Sequence, residues 1–133
     1  MDGTELISSL AGVIVWTDRL PELLAFYRDT LGLPVHSVRP DFVAFDVGTA
    51  RLSVGTHSEV GGMAKEPVRV TVNLGVSDIH AVTRTLTARG VSFVRLPQLE
   101  HWGGWVASFR DPDGNLLQLF QQPASAASAR PGS

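Results

Sequence analysis

A chain of 133 residues, 44% hydrophobic and 18% charged, has the composition of one compact globular protein. Such a chain can bury roughly two thirds of the surface that its unfolded form exposes, so it needs no staples. A formal net charge of −2 with no basic run argues against nucleic acid or an anionic membrane as the main partner, and the lack of cysteine excludes disulfides, thiolate metal sites and a cysteine nucleophile.

The start, MDGTELISSLAGVIVW, has neither a basic n-region nor a long apolar h-region, so it does not read as a signal peptide. No run is long enough to span a bilayer, and the expected location is the cytoplasm. Residues 1–9 read as an extension. AGVIVW, Ala11 to Trp16, is an apolar run rich in β-branched residues and predicts a strand. Asp18 is an expected N-cap, with Pro21 in the first turn. Leu20, Leu23, Leu24, Tyr27 and Leu31 then recur at helical spacing, and Gly32 ends the helix. VHSV, FVAFDV and RLSVGT predict three short strands, the last two separated by a turn at Gly48.

Residues 10–58 thus form a first unit, and the Gly-rich stretch 59–67 reads as a linker. The pattern then repeats over residues 68–122. VRVTVNLGV predicts a strand from Val68 to Val76, and Asp78 a cap. Ile79, Val82 and Leu86 mark a helix that Gly90 closes. VSFVRL, WVASFR and NLLQLF predict three more strands, with DPDGN as a turn between the last two. Asp18 and Asp78, Gly32 and Gly90, Phe45 and Phe109, and Leu52 and Leu117 recur about sixty residues apart. Each half is a βαβββ unit with one sheet face uncovered, so the two are expected to pack around a shared cleft. Residues 123–133, PASAASARPGS, read as a disordered tail.

DRLPELLAFYRDTLGLPV in the first half and FRDPDGNLLQLFQ in the second resemble the vicinal oxygen chelate superfamily, also called the glyoxalase, bleomycin-resistance protein and extradiol dioxygenase superfamily. The resemblance spans residues 10–122. It implies an α+β fold of two tandem βαβββ modules whose sheets curl around a shared cup, often within a homodimer. It also implies that the cup holds a divalent metal or an organic ligand. In metal-dependent members the ligands come from the first and last strands of each module. Carried over by position, these places are Ala11, Ser53, Thr71 and Gln118, where the family typically has His, Gln or Glu.

Ala11 has no donor atom, Ser53 and Thr71 are neutral hydroxyls, and Gln118 carries no charge. Such a set cannot outcompete water for a transition metal. The expectation is a protein without cofactor that binds a small, partly aromatic organic ligand. The alternative is a lyase, isomerase or dioxygenase with a divalent metal such as Zn, Ni, Fe or Mn held by Gln118, His57 or His101. A third class is a dimerisation or regulatory module. Ser53 and Thr71 have no identified His partner, so no catalytic residue is assigned.

His36 reads as surface, and His80 as a first-turn residue of the second helix. His57 shares the parity of Ser53, and His101 precedes WGGW. The expected ligand-binding residues are Trp16, Ser53, His57, Thr71, Asn73, His101, Trp102, Trp105, Gln118 and Phe120. Trp105 also shares the parity of Phe109 and could be core. Period-two alternation assigns Ala11, Val13, Val15, Ser53, Gly55, Thr71, Asn73, Leu116, Gln118 and Phe120 to the cup face. Arg51, Arg69, Arg95 and Arg110, in or beside strands, are candidate anion contacts.

Overall fold

A computed structural model describes residues 6–124. The chain divides into two compact units, Met1–Gly61 and Gly62–Ser133, meeting inside the Gly-rich stretch. In the first, β1 (Gly12–Thr17) leads into α1 (Leu20–Leu24), which runs on as a π-helical segment, Ala25–Thr30. Then follow β2 (Val35–Arg39), β3 (Phe42–Val47) and β4 (Ala50–Thr56). The second unit has β5 (Val72–Gly75), α2 (Ile79–Ala88), β6 (Phe93–Leu99), β7 (Trp105–Arg110) and β8 (Leu116–Gln121). The sheet orders are β1-β4-β3-β2 and β5-β8-β7-β6, so the two topologies are the same. The fold is α+β, with two βαβββ modules and an open four-stranded sheet in each.

One face of each sheet is covered by its helix, and there the core lies. In the first module Leu23 and Tyr27 pack with Val15, Val43, Phe45, Leu52 and Val54. In the second, Ile79 and Leu86 pack with Ala107, Phe109, Leu117 and Leu119. Phe45 and Phe109 are both fully buried, and each such side chain stabilises its module by about 2–3 kcal/mol through area removed from water.

Several turns follow the sequence reading. Gly32, Gly48, Gly90 and Gly114 all have positive φ, where a Cβ would be strained. Asp78 caps α2 by accepting the N–H of Ala81. In the DPDGN turn, the Asp111 carboxylate accepts the N–H groups of Asp113 and Asn115 and the Asn115 side-chain amide. That buried acid is therefore occupied in holding the hairpin.

Four expectations are corrected. Asp18 does not cap α1. The N-cap position is Arg19, which makes no side-chain cap, and Arg19 instead donates its N–H to Thr17 Oγ1 at 2.9 Å. The helix is not regular as far as Leu31: the Leu31 N–H reaches back five residues to the Phe26 carbonyl, as a π turn requires. The strand expected over 68–76 is only Val72–Gly75. Finally, β1 has the opposite parity to that assigned. Val13 pairs with Leu52 and Val15 with Val54, so both share the face covered by the helix, whereas Ile14 pairs with Ser53 and Trp16 with Gly55.

Candidate functional site

The uncovered face of each sheet can be read from strand pairing, because paired residues share a face. On the first module it forms three rows. The middle row is Ile14, Ser53, Ala44 and Ser37. On one side run Trp16, Gly55, Phe42 and Arg39, and on the other Gly12, Arg51 and Asp46. Three of the four middle-row side chains are small, so the row is a trough of about 420 Å3 lined by His36, Ser37, Arg39, Phe42, Ala44, Arg51 and Ser53, among others.

A bulge sharpens this trough. The β2–β3 register slips between Val35 and Ser37, which lets the consecutive residues His36 and Ser37 both line it. His36 Nδ1 lies 3.3 Å from the Asp46 carboxylate, and Arg51 Nε lies 3.4 Å from the same group.

The row beside the trough is aromatic. Trp16 stands 5.8 Å from Phe42 and 5.2 Å from His57, centroid to centroid. Gly55 makes this possible, since a Cβ there would sit 2.7 Å from the Phe42 ring and 3.0 Å from the Trp16 ring. His57 Nδ1 accepts the Glu59 N–H at 3.1 Å, which fixes the ring against Trp16.

On the second module the middle row is Asn73, Gln118, Ser108 and Arg95, a polar belt. Gln118 donates Nε2–H to Asn73 Oδ1 at 3.0 Å. Arg95 is engaged by Gln98 and Glu100. Above the belt, Trp102 packs on Phe120 at 5.5 Å. Gly104 has the role of Gly55, since a Cβ on it would overlap the Trp102 ring at 1.8 Å.

The structure thus gathers Trp16, Ser53 and His57 on one open face, and Asn73, Gln118, Phe120 and Trp102 on the other. Thr71 is exposed and lies just before β5. His101 lies in the loop closed by the bond from the Glu100 N–H to the Gly104 carbonyl. Trp105 is not with them: its ring meets His80 of α2 at 4.7 Å, on the helix side. Sequence reasoning missed Phe42, Ser37, Ala44 and Ser108 as open-face residues. The alternation in FVAFDV and WVASFR carried that signal.

The donor set does not fit a metal. Ala11 alternates with Gly12, so Gly12 is the open-face residue at that end of β1. A Cβ on Gly12 would lie 2.1 Å from the Arg51 carbonyl oxygen, so the position cannot present a ligand. Among the described residues no three of His, Cys, Asp and Glu gather to hold a metal ion. Among the described residues the shifted pKa values belong to a neighbouring pair away from these faces. The exposed Asp29 carboxyl is held below its usual range by a hydrogen bond from Arg28, whose own pKa is raised by the same bond. Among the described residues no helix is long and apolar enough to cross a membrane.

Comparison with known proteins agrees with this architecture. The chain is 30% identical to the uncharacterized protein YraH of Bacillus subtilis over 108 residues, covering 72% of this chain and 84% of that protein. A segment of 35 residues is 46% identical to a bleomycin resistance protein of Klebsiella pneumoniae, covering 26% of this chain and 28% of that one. Among solved structures, a lactoylglutathione lyase from Agrobacterium tumefaciens superposes with a TM-score of 0.71 at 19% identity, over 88% of this chain and 96% of that one. A glyoxalase/bleomycin resistance protein/dioxygenase from Nocardioides gives 0.71 at 21% identity, over 98% and 92%. The sequence profile of the Glyoxalase/Bleomycin resistance protein/Dioxygenase superfamily matches residues 9–119, and the chain belongs to that superfamily.

Proposed function

We propose that this protein binds a small, partly aromatic organic molecule on its open sheet faces, without a metal cofactor, as a cytoplasmic homodimer. The observation that carries the reading is the pair of aromatic shelves. On each module a glycine gives up its Cβ position to a ring, Gly55 to Trp16 and Phe42, and Gly104 to Trp102. Trp16 remains 36% exposed and Trp102 42%, so both offer a ring surface to a ligand. Stacking on such a ring contributes about 0.5–1.5 kcal/mol beyond the area buried. Polar groups beside the shelves, Ser53 on one face and Gln118, Asn73 and Thr71 on the other, would orient the ligand. Each would be costly to leave unpaired under a bound molecule. The partial match to a bleomycin resistance protein supports the binding reading.

The dimer reading rests on edge strands. β2 and β6 end their sheets, and Val38, Val94, Leu96 and Leu99 on them are exposed. Apolar edge strands of this kind are normally covered, and a second copy would do so through an isologous contact.

A panel of aromatic antibiotics and metabolites, followed by thermal shift and Trp quenching, tests the ligand. Trp102→Ala is expected to weaken binding, Gly55→Val to weaken it by displacing both rings, and Gln118→Leu to change which molecules bind. Hits whose affinity is indifferent to all three would place the ligand elsewhere. Sedimentation showing a monomer at micromolar concentration would remove the dimer.

A further inference from the structure

The trough on the first module carries chemistry beyond aromatic stacking. Its floor holds Ser53, which is only 6% exposed. The Ser53 hydroxyl has no side-chain partner among the described residues, although it lines an open groove. Ser37 stands across Ala44 from it, in the same row. With no side-chain partner of its own, a hydroxyl that opens onto the groove is free to answer a bound molecule in place of water.

The charges around the trough are unequally committed. Asp46 is shared by Arg51 and His36. Arg39, in register with Phe42 and two residues from Ser37 on the same strand, makes no ion pair among the described residues. Asp41, in the β2–β3 turn at the same end, also lines the trough and is the one acid a bound anion would have to avoid there among the described lining residues. It forms no ion pair with Arg39, which is left as the cation at the aromatic end. A guanidinium beside an aromatic ring is suited to a carboxylate, which it can grip with two parallel N–H donors.

Resting on the aromatic-ligand reading above, we propose that this trough takes a planar aromatic carboxylate. The ring lies over Ala44 against Phe42, a polar ring substituent or the carboxylate edge meets Ser53 and Ser37, and the carboxylate pairs with Arg39. A trough of about 420 Å3 lies within the range of small-molecule sites.

The test uses the full chain and three probes of one shape: 2-naphthoate, 2-naphthamide and 2-naphthylmethylammonium. Binding is measured by titration, and the site is located by amide chemical-shift changes. The expected order is naphthoate above naphthamide above the ammonium, with shifts at Ser37, Arg39, Ala44 and Ser53. Arg39→Gln should weaken naphthoate about tenfold, as loss of a charge-assisted pair does, and leave naphthamide unchanged. Arg39→Lys should restore part of the affinity, which a folding defect would not allow. Ala44→Leu should fill the trough and abolish binding of both probes.

Equal affinity for naphthoate and naphthamide, with no response to Arg39→Gln, overturns the carboxylate assignment and leaves the aromatic-ligand reading standing. Shifts confined to Trp102 and Phe120 overturn the trough as the site, again without touching that reading. If no aromatic molecule of any charge perturbs either open face, the aromatic-ligand reading fails as well.

Discussion

Ser53 in the first module and Gln118 in the second stand at the same place in the same strand order. Each follows a buried leucine, Leu52 or Leu117, in the central strand that pairs parallel with the first strand of its module. Around Ser53 the row is Ile14, Ala44 and Ser37, a shallow trough. Around Gln118 it is Asn73, Ser108 and Arg95, a polar belt. On the helix-covered side the matching residues barely differ: Phe45 answers Phe109, and Leu52 answers Leu117. Packing under a helix demands apolar side chains of similar size, so the repeat survives there. The open face carries no such demand, and there the two modules have taken different chemistry.

The largest test of this contrast acts on the shared side. Phe45→Ala and Phe109→Ala each remove a fully buried ring and should cost about 3–5 kcal/mol. Phe109 also meets Phe93 at 5.3 Å, so its loss should lie at the upper end of that range. Denaturant unfolding gives the magnitudes, and hydrogen exchange shows which module opens. Near-neutral behaviour of either variant would mean that the two cores are not equivalent.

What was legible in the sequence divides along the same line. Helix spacing, the turn glycines and the repeat were readable because packing and positive φ constrain residue type. The faces of β1 were not. In AGVIVW both faces are apolar, since Ile14 and Trp16 line the open side while Val13 and Val15 line the core, and a uniform run hides its parity. Only pairing with Leu52 and Ser53 reveals it. Trp105 was ambiguous for the opposite reason: its strand alternates clearly, but a Trp next to two glycines also suggests a binding wall. Its contact with His80 puts it on the helix side.

The helix starts offer a second, smaller test. Asp18 and Asp78 look alike in sequence, yet Asp78 stands at the N-cap of α2 and accepts the Ala81 N–H, whereas the N-cap of α1 is Arg19. Asp78→Ala should therefore cost about 1 kcal/mol, the usual loss for an N-cap. The N-cap of α1 is Arg19, without a side-chain capping bond, so Asp18→Ala should cost the helix start less than Asp78→Ala does. Thermal or urea midpoints of the two variants separate these outcomes. Equal losses would restore Asp18 to the role that its position in the repeat suggested.

The smallest expected effect concerns the belt itself. Gln118→Glu places a carboxylate where the superfamily resemblance puts a metal ligand. In its row, however, the new acid meets only Asn73, Ser108 and Arg95. None is an imidazole or an acid, and the Arg95 guanidinium would repel a cation rather than help to hold one. Asn73 now accepts from the Gln118 amide at 3.0 Å. By turning its own amide it could donate to a carboxylate instead, so the pair survives the change. Stability should then move by no more than about 0.5 kcal/mol. Titration with zinc, nickel or manganese should give no stabilisation beyond that of the parent chain, since a bound ligand would raise the melting temperature by mass action. A saturable, chelator-reversible rise in Gln118→Glu alone would show that the belt needed only one charge to become a metal site. It would also reopen the metal-dependent alternative for the second module, while leaving the Ser53 trough untouched.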